Sequence, residues 1–377
     1  MRFEHYVRSG TRLLRCGYTT GTCAALAAAG AAQLLLTGEA PTVLRLTTPK
    51  GLTVETEPDF CRPEGDGALC AVRKDAGDDP DVTDGMQICA AVTRTERGLV
   101  IDGGAGVGRV TKPGLDQPVG AAAINTVPRQ MIRAAAEKLC AACGYMGGLR
   151  IVISAPGGEE IAKKTFNPQL GIVGGISILG SSGVVEPMSE RAIVETTALE
   201  IRQAAASGGR RLILLPGNYG MDYLTQRLPE LAAIPRAKCS NFIGEAIDAA
   251  VTEGFEEVLL VGHIGKLVKL AGGIMNTHSR TADCRRELFV CHAALCGAGT
   301  ELCRALMAEV SSDGCIKVLE RAGLRERVME SLLKAVQAAL SRRAGDMRVG
   351  ALLFSNEAGL LGLTEGAQAL LGEWRAT

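Results

Sequence analysis

The chain has 377 residues, 47% of them hydrophobic and only 3% aromatic, with 41 basic and 41 acidic side chains. That length predicts two domains. Zero formal net charge and scarce aromatic rings argue against nucleic-acid binding and give no reason for a membrane-surface partner.

The opening MRFEHYVRSG lacks the apolar run of a signal peptide. No stretch reads as membrane-spanning without polar interruption, so the cytoplasm is the expected location. Thirteen cysteines without an export signal predict free thiols that act as small hydrophobes. Cys140 and Cys143 form a CxxC at the end of an alanine-rich run, with no second pair to complete a zinc or cluster site. No protein-bound metal is expected.

In chain order, GYTTG at 17–21 precedes an alanine and leucine run ending near Leu36. Thr20 or Thr22 is the predicted cap of this helix, and Gly38 its stop. Short strands are predicted at 43–47 and 52–57. Residues 61–85, rich in Gly, Asp and Pro, read as loop. Strands resume at 88–95 and 99–101. Next comes DGGAGVGRVTKPGL, with Gly104, Gly106 and Gly108. It has neither GxGxxG spacing nor a strand–turn–helix context, which excludes a standard nicotinamide or flavin site. It reads as a glycine loop close to a ligand or to another loop. A helix at 125–143 carries Pro128 in its first turn, and 149–155 is a strong strand. The glycine-rich apolar stretch that follows, up to Ser189, predicts a loop system packed over something. Its Lys163, Lys164 and Asn167 either meet carboxylates or form a solvated face.

From Ser189 onward, helices and strands alternate. Helices are predicted at 189–206 and 219–228, with another running from an Asn241 cap to Thr252. Strands are predicted at 211–215, 258–261 and 349–354, and several helices fill 285–343. This alternation predicts a mostly parallel sheet covered on both faces.

The chemistry concentrates between Lys238 and Arg286, which holds two of the four histidines. His263 ends the buried strand between two glycines. It can be a base, a hydrogen-bond donor, a metal ligand or a capped structural histidine. Asn241 and Glu245 lie one turn apart on one helix face. His278, Arg280 and Asp283 form a close polar set. HExxH, Walker and GxSxG patterns are absent. Residue chemistry alone stops at a two-domain α/β protein with a polar crevice.

Ordered motifs carry the reading further. They are RCGYTTGTCAA at 15–25, DVTDG at 81–85, GGAGVGRVTKPGL at 103–115 and AAINTVPRQMI at 122–132. Further on come GEEIAKKTFNPQLGIVGGISILGSSGVVEPMSE at 158–190, LPGNYG at 215–220, KCSNFIGEAID at 238–248, and VGHIGKLVKLAGGIMNTHSRTADCR ending at Arg285. Together they resemble the cobalt-precorrin-5B (C1)-methyltransferases of anaerobic cobalamin synthesis, the CbiD family. The resemblance implies S-adenosylmethionine as methyl donor and a cobalt-containing tetrapyrrole as acceptor, with the cobalt held by the substrate. Lys163, Lys164, Lys266, Lys269, Arg280 and Arg285 are then the expected counter-charges to its carboxylates. His263, His278, Asp283 and Glu245 are the expected catalytic or positioning groups. Thr20, Gly104, Gly106, Gly108, Asn218, Asn241 and Gly262 are the expected donor-binding set. The expected fold is an α+β N-terminal domain over 1–148 followed by an α/β Rossmann-like three-layer domain over 149–377. The glycine loops at 104–108 and 171–183 are expected at the cleft between them, and a homodimer is the expected assembly.

Overall fold

The computed structural model describes residues 3–375. The chain divides into two compact units, Met1–Ser189 and Glu190–Thr377.

The first unit is a mixed α+β body. Its main elements are helix α1 (Thr20–Thr37), strands β1 (Phe60–Glu64), β2 (Gly67–Arg73), β3 (Gln87–Thr95) and β4 (Leu99–Gly103), helix α2 (Thr126–Ala142) and strand β5 (Gly148–Ser154). The five strands form one sheet in the order β1-β2-β3-β5-β4. Only the β5–β4 pairing is parallel. Ala24, Ala25, Ala27 and Ala28 of α1 are fully buried, so small side chains bring this helix close to its neighbours. By length and composition α1 could cross a membrane, at mean hydropathy 1.3 over 18 residues, yet most of it is buried within the unit. Its threonines and one glutamine are the expected polar interruptions, and they weigh little in a hydropathy average.

The cap of α1 is Thr19, whose Oγ1 accepts from the Thr22 N–H at 3.2 Å. Thr20, expected there, is the first helical residue. Residues 61–85 are not all loop either. Strands β1 and β2 form a hairpin joined at Gly65 and Asp66. Pro, Arg, Gly and Ala give that segment a weak strand signal, and its pairing with β3 supplies what propensity lacks. The glycine loop after β4 packs on protein. Gly106 has φ 73°, and a Cβ there would sit 1.8 Å from the Ala155 carbonyl oxygen. The domain boundary expected at 148 and 149 falls inside this unit, since β5 fills the slot between β3 and β4.

The second unit is α/β. Its strands are β6 (Arg211–Leu215), β7 (Arg236–Lys238), β8 (Glu257–His263), β9 (Arg348–Ser355) and β10 (Gly359–Leu363). They lie in the order β7-β6-β8-β9-β10. All pairings are parallel except β9–β10. The longer helices are α3 (Glu190–Ala206), α4 (Asn218–Arg227), α5 (Ile243–Thr252), α6 (Arg285–Leu295), α7 (Ser312–Arg321), α8 (Arg325–Ala344) and α9 (Glu365–Trp374), with the nine-residue helix Thr300–Ala308 and shorter turns between. Strand residues alternate between two cores. Leu212, Leu214, Val258 and Leu260 pack with α3, α5, α6, α7 and α8. Ile213, Leu215, Leu259 and Val261 pack with α4 and α9. Helices thus cover both faces, which is why the inner strands read as unbroken apolar runs. The hairpin to β10 and the final helix α9 were not anticipated. The Gly359–Leu363 strand is short and carries two glycines, so its pattern is faint.

Candidate functional site

Strand β7 leaves β6 on one side and β8 lies on the other. The loops that follow β6 and β8 therefore diverge at the carboxyl edge of the sheet. Such a reversal of strand order opens a crevice by geometry alone. A cleft of about 590 Å³ occupies it, walled by Pro216–Gly220 after β6, by Val261, Gly262 and His263 at the end of β8, by Gly265 and Lys266 after it, and by Arg285 and Ser311–Asp313. That volume suits one small-molecule ligand.

Gly217 begins α4 at φ 154° and ψ −177°, a backbone region open only to glycine, and so allows the tight turn out of β6. Tyr219 is 62% exposed at the mouth of the cleft. Lys266 spans the loops. Its ammonium donates to the Pro216 carbonyl at 2.5 Å and the Ser240 carbonyl at 3.2 Å. Ser240 itself adopts φ 51°, uncommon for a residue with a side chain. Burial pulls the Lys266 pKa down from its usual value.

His263 caps the short helical turn after β8. Its Nδ1 accepts from the Gly265 N–H at 3.1 Å, so the neutral ring carries its proton on Nε2. Nε2 lies 3.7 Å from the Asp313 carboxylate, an electrostatic contact rather than a hydrogen bond. Burial lowers the His263 pKa below the ordinary imidazole value, with Asp313 opposing. The other Asp313 oxygen accepts from the Ser355 hydroxyl at the end of β9. Ser312 is 3% exposed, and its hydroxyl oxygen has no hydrogen-bond partner.

Of the expected residues, Asn218, Gly262, His263, Lys266 and Arg285 meet in this cleft. Asp283 lines a smaller cavity beside it, paired to Arg285 at 2.6 and 2.8 Å. The Arg285 guanidinium holds the Asp283 pKa below the usual carboxylate value. Three others build the supporting loop. Lys269 is only 2% exposed. Its ammonium donates to the Thr277 and Ala282 carbonyls at 3.1 and 2.8 Å, which makes it a strut rather than an open counter-charge. His278 Nδ1 accepts from the Arg280 N–H at 3.1 Å. Asn241 does not cap α5, whose first flanking residue is Phe242. Its carbonyl accepts from the Thr277 N–H at 2.9 Å, which ties the two ends of the Lys238–Arg286 window together.

Glu245 and Arg280 are exposed and outside the lining of the cleft. Thr20, Gly104, Gly106, Gly108, Lys163 and Lys164 belong to the first unit. There Thr20 is buried, its hydroxyl bonded to the loop at Ser177 and Leu179. Lys163 pairs with Glu160 at 2.6 Å, and Lys164 is exposed. Tyr219, Ser311, Ser312 and Asp313 were missed. The Ser311-Ser312-Asp313-Gly314 run at the start of α7 is a legible helix-start signal, but nothing local ties it to β8.

Among the described residues, no group of three or more His, Cys, Asp and Glu side chains converges as a metal site would require. Burial pushes the Cys23 and Cys239 thiols up to about 12 and Cys315 to about 11, so these three are inert.

The family model CbiD matches residues 7–187, close to the bounds of the first unit, and the model "CbiD, C-terminal domain" matches 276–365. A cobalt-precorrin-5B C(1)-methyltransferase of Ruminiclostridium cellulolyticum is 48% identical over 94% of this chain and 92% of its own length. One from Alkaliphilus metalliredigens is 40% identical over 98% and 97%. A crystal structure of the cobalamin biosynthesis protein CbiD from Archaeoglobus fulgidus is 31% identical, covers 73% of this chain and 86% of that one, and has a TM-score of 0.41. With both halves matched and identity sustained along nearly its whole length, the chain belongs to the CbiD family.

Proposed function

We propose that this chain is a cobalt-precorrin-5B C(1)-methyltransferase of anaerobic cobalamin synthesis. It moves a methyl group from S-adenosylmethionine to C-1 of cobalt-precorrin-5B and gives cobalt-precorrin-6A and S-adenosylhomocysteine. The observation that carries this reading is 48% identity over 94% of the chain to a protein of that activity.

The donor supplies a methyl group already activated by its sulfonium. What remains for the chain is to hold two partners in line and exclude water. The cleft is of a size for the donor and small for a macrocycle fringed with carboxylates. Its rim carries both signs of charge, Arg285 and Lys266 against Asp313. That balance fits a donor with ammonium, carboxylate and sulfonium groups better than a polyanion. His263 is neutral at pH 7 because burial lowers its pKa, so it places no cation beside the sulfonium. Asp313 sets a carboxylate on the same wall. We also read the second unit as Rossmann-like. Numbered along the chain, its strands lie side by side in the doubly wound order 2-1-3-4-5, and ligands of such sheets bind at the reversal between strands 1 and 3. The cobalt arrives with the acceptor.

The decisive experiment supplies purified protein with cobalt-precorrin-5B and donor labelled at the methyl carbon. Label at C-1 of the product is expected. No transfer, with both ligands demonstrated to bind, overturns the reading.

A further inference from the structure

We infer that the start of α7, where the small cavity meets the cleft, recognises the α-amino-acid end of the methyl donor. This rests on the activity proposed above. The cavity is about 210 Å³ and is lined by Asp283, Arg285, Arg286, Val310 and Ser311. It shares Arg285 and Ser311 with the main cleft, so the two spaces adjoin at these residues.

Three independent features converge on a zwitterion. The first is charge. Arg285, Arg286 and Lys266 are cationic, and Asp283 and Asp313 are anionic, all lining the two adjoining spaces. A polyanion meets two carboxylates here, and a simple cation meets two guanidinium groups. A group carrying one carboxylate and one ammonium meets a partner for each. Arg285 grips Asp283 through Nε and Nη2, which leaves its Nη1 edge for a second acceptor.

The second feature is the start of α7, a helix of ten residues. The Ser311 hydroxyl accepts from the Gly314 N–H at 3.0 Å. The N–H groups of Ser312 and Asp313 are earlier in the turn, where a helix offers no internal acceptor and favours an anion. The third is Ser312. It lines the cleft, is 3% exposed, and its hydroxyl has no partner. Buried hydroxyls are almost always bonded, and this one has an O–H still able to donate to an acceptor. A ligand carboxylate supplies it. The nucleoside end then occupies the larger space toward Tyr219.

Three probes on the full-length chain test this. S-adenosylhomocysteine retains the amino-acid end and lacks the reactive methyl. 5′-Methylthioadenosine retains the nucleoside and thioether but has no amino-acid end. The third measurement is the thermal midpoint of the free protein. We expect S-adenosylhomocysteine to bind at least about tenfold more tightly than 5′-methylthioadenosine, as for a charge-assisted contact. Arg285→Ala and Ser312→Ala should each weaken S-adenosylhomocysteine about tenfold and leave 5′-methylthioadenosine unchanged. Ser312→Ala should not lower the thermal midpoint, because it removes a hydroxyl with no partner in the free fold. Equal affinity of the two probes, or variants that weaken both alike, overturns the assignment. If the variants leave donor KM unchanged while wild-type methyl transfer proceeds, the subsite is wrong and the activity stands. If transfer is absent but the probes still discriminate, the activity is wrong and the subsite stands.

Discussion

At the scale of single residues, the charged groups of the Lys238–Arg286 window divide into those that bind inward and those that face the cleft. Residue type does not reveal which. Lys266 and Lys269 look alike in sequence, three positions apart. Lys269 is buried under carbonyls, whereas Lys266 bridges two loops while lining the cleft. The bridge implies that Lys266→Met leaves two carbonyls short of a donor and costs about 1–3 kcal/mol in stability. The urea midpoint measures it, and the loss should persist at high salt, since the partners are half-buried carbonyl dipoles rather than exposed charges. His263 yields a pH prediction. Burial holds its folded pKa below the ordinary imidazole value of 6.5. Below that value the unfolded chain binds the proton more readily, so this contribution to stability is full above 6.5 and is lost as pH falls through the folded pKa. His292, also shifted down by burial, adds to the same decline. His263→Asn keeps an acceptor for the Gly265 N–H and removes the titration. The fall in thermal midpoint between pH 7 and 5 should be shallower in this variant than in wild type. An unchanged slope would remove His263 from the account.

At the scale of elements, periodic segments were legible and their ends were less so. Helix α1 follows from its apolar run and Gly38, but the cap is Thr19. Three threonines within four positions offer equal cap chemistry. The choice falls to tertiary contacts, because the Thr20 hydroxyl is held by Ser177 and Leu179 and the Thr22 hydroxyl by Gly183. Thr19→Ala should cost about 1 kcal/mol of stability, seen as a lower urea midpoint without a change in slope. Strands β1, β2 and β10 escaped notice for another reason. Their residues have weak strand preference, and pairing with a neighbouring strand makes up for it. The start of α7 was readable as a helix start, yet its place beside His263 depends on the packing of a segment about fifty residues later in the chain.

At the scale of the molecule, each unit has cores of its own. Independent cores predict that heat unfolding departs from a single two-state step, with a calorimetric enthalpy exceeding the van't Hoff value. A ratio of one would mean the units unfold as one cooperative body. The family, the α+β then α/β succession, the buried strand ending at His263 and the window holding much of the cleft were all present in the order of residues. They are local properties: hydrophobic period, helix signals and motif strings survive without knowledge of the fold. Tertiary structure alone decided that β5 closes the first sheet, that Gly106 packs on Ala155, that Lys269 is a strut, and that Ser311–Asp313 faces the strand ends. These outcomes depend on strand order and on contacts between residues far apart in the chain, where many arrangements share one local pattern and packing selects among them.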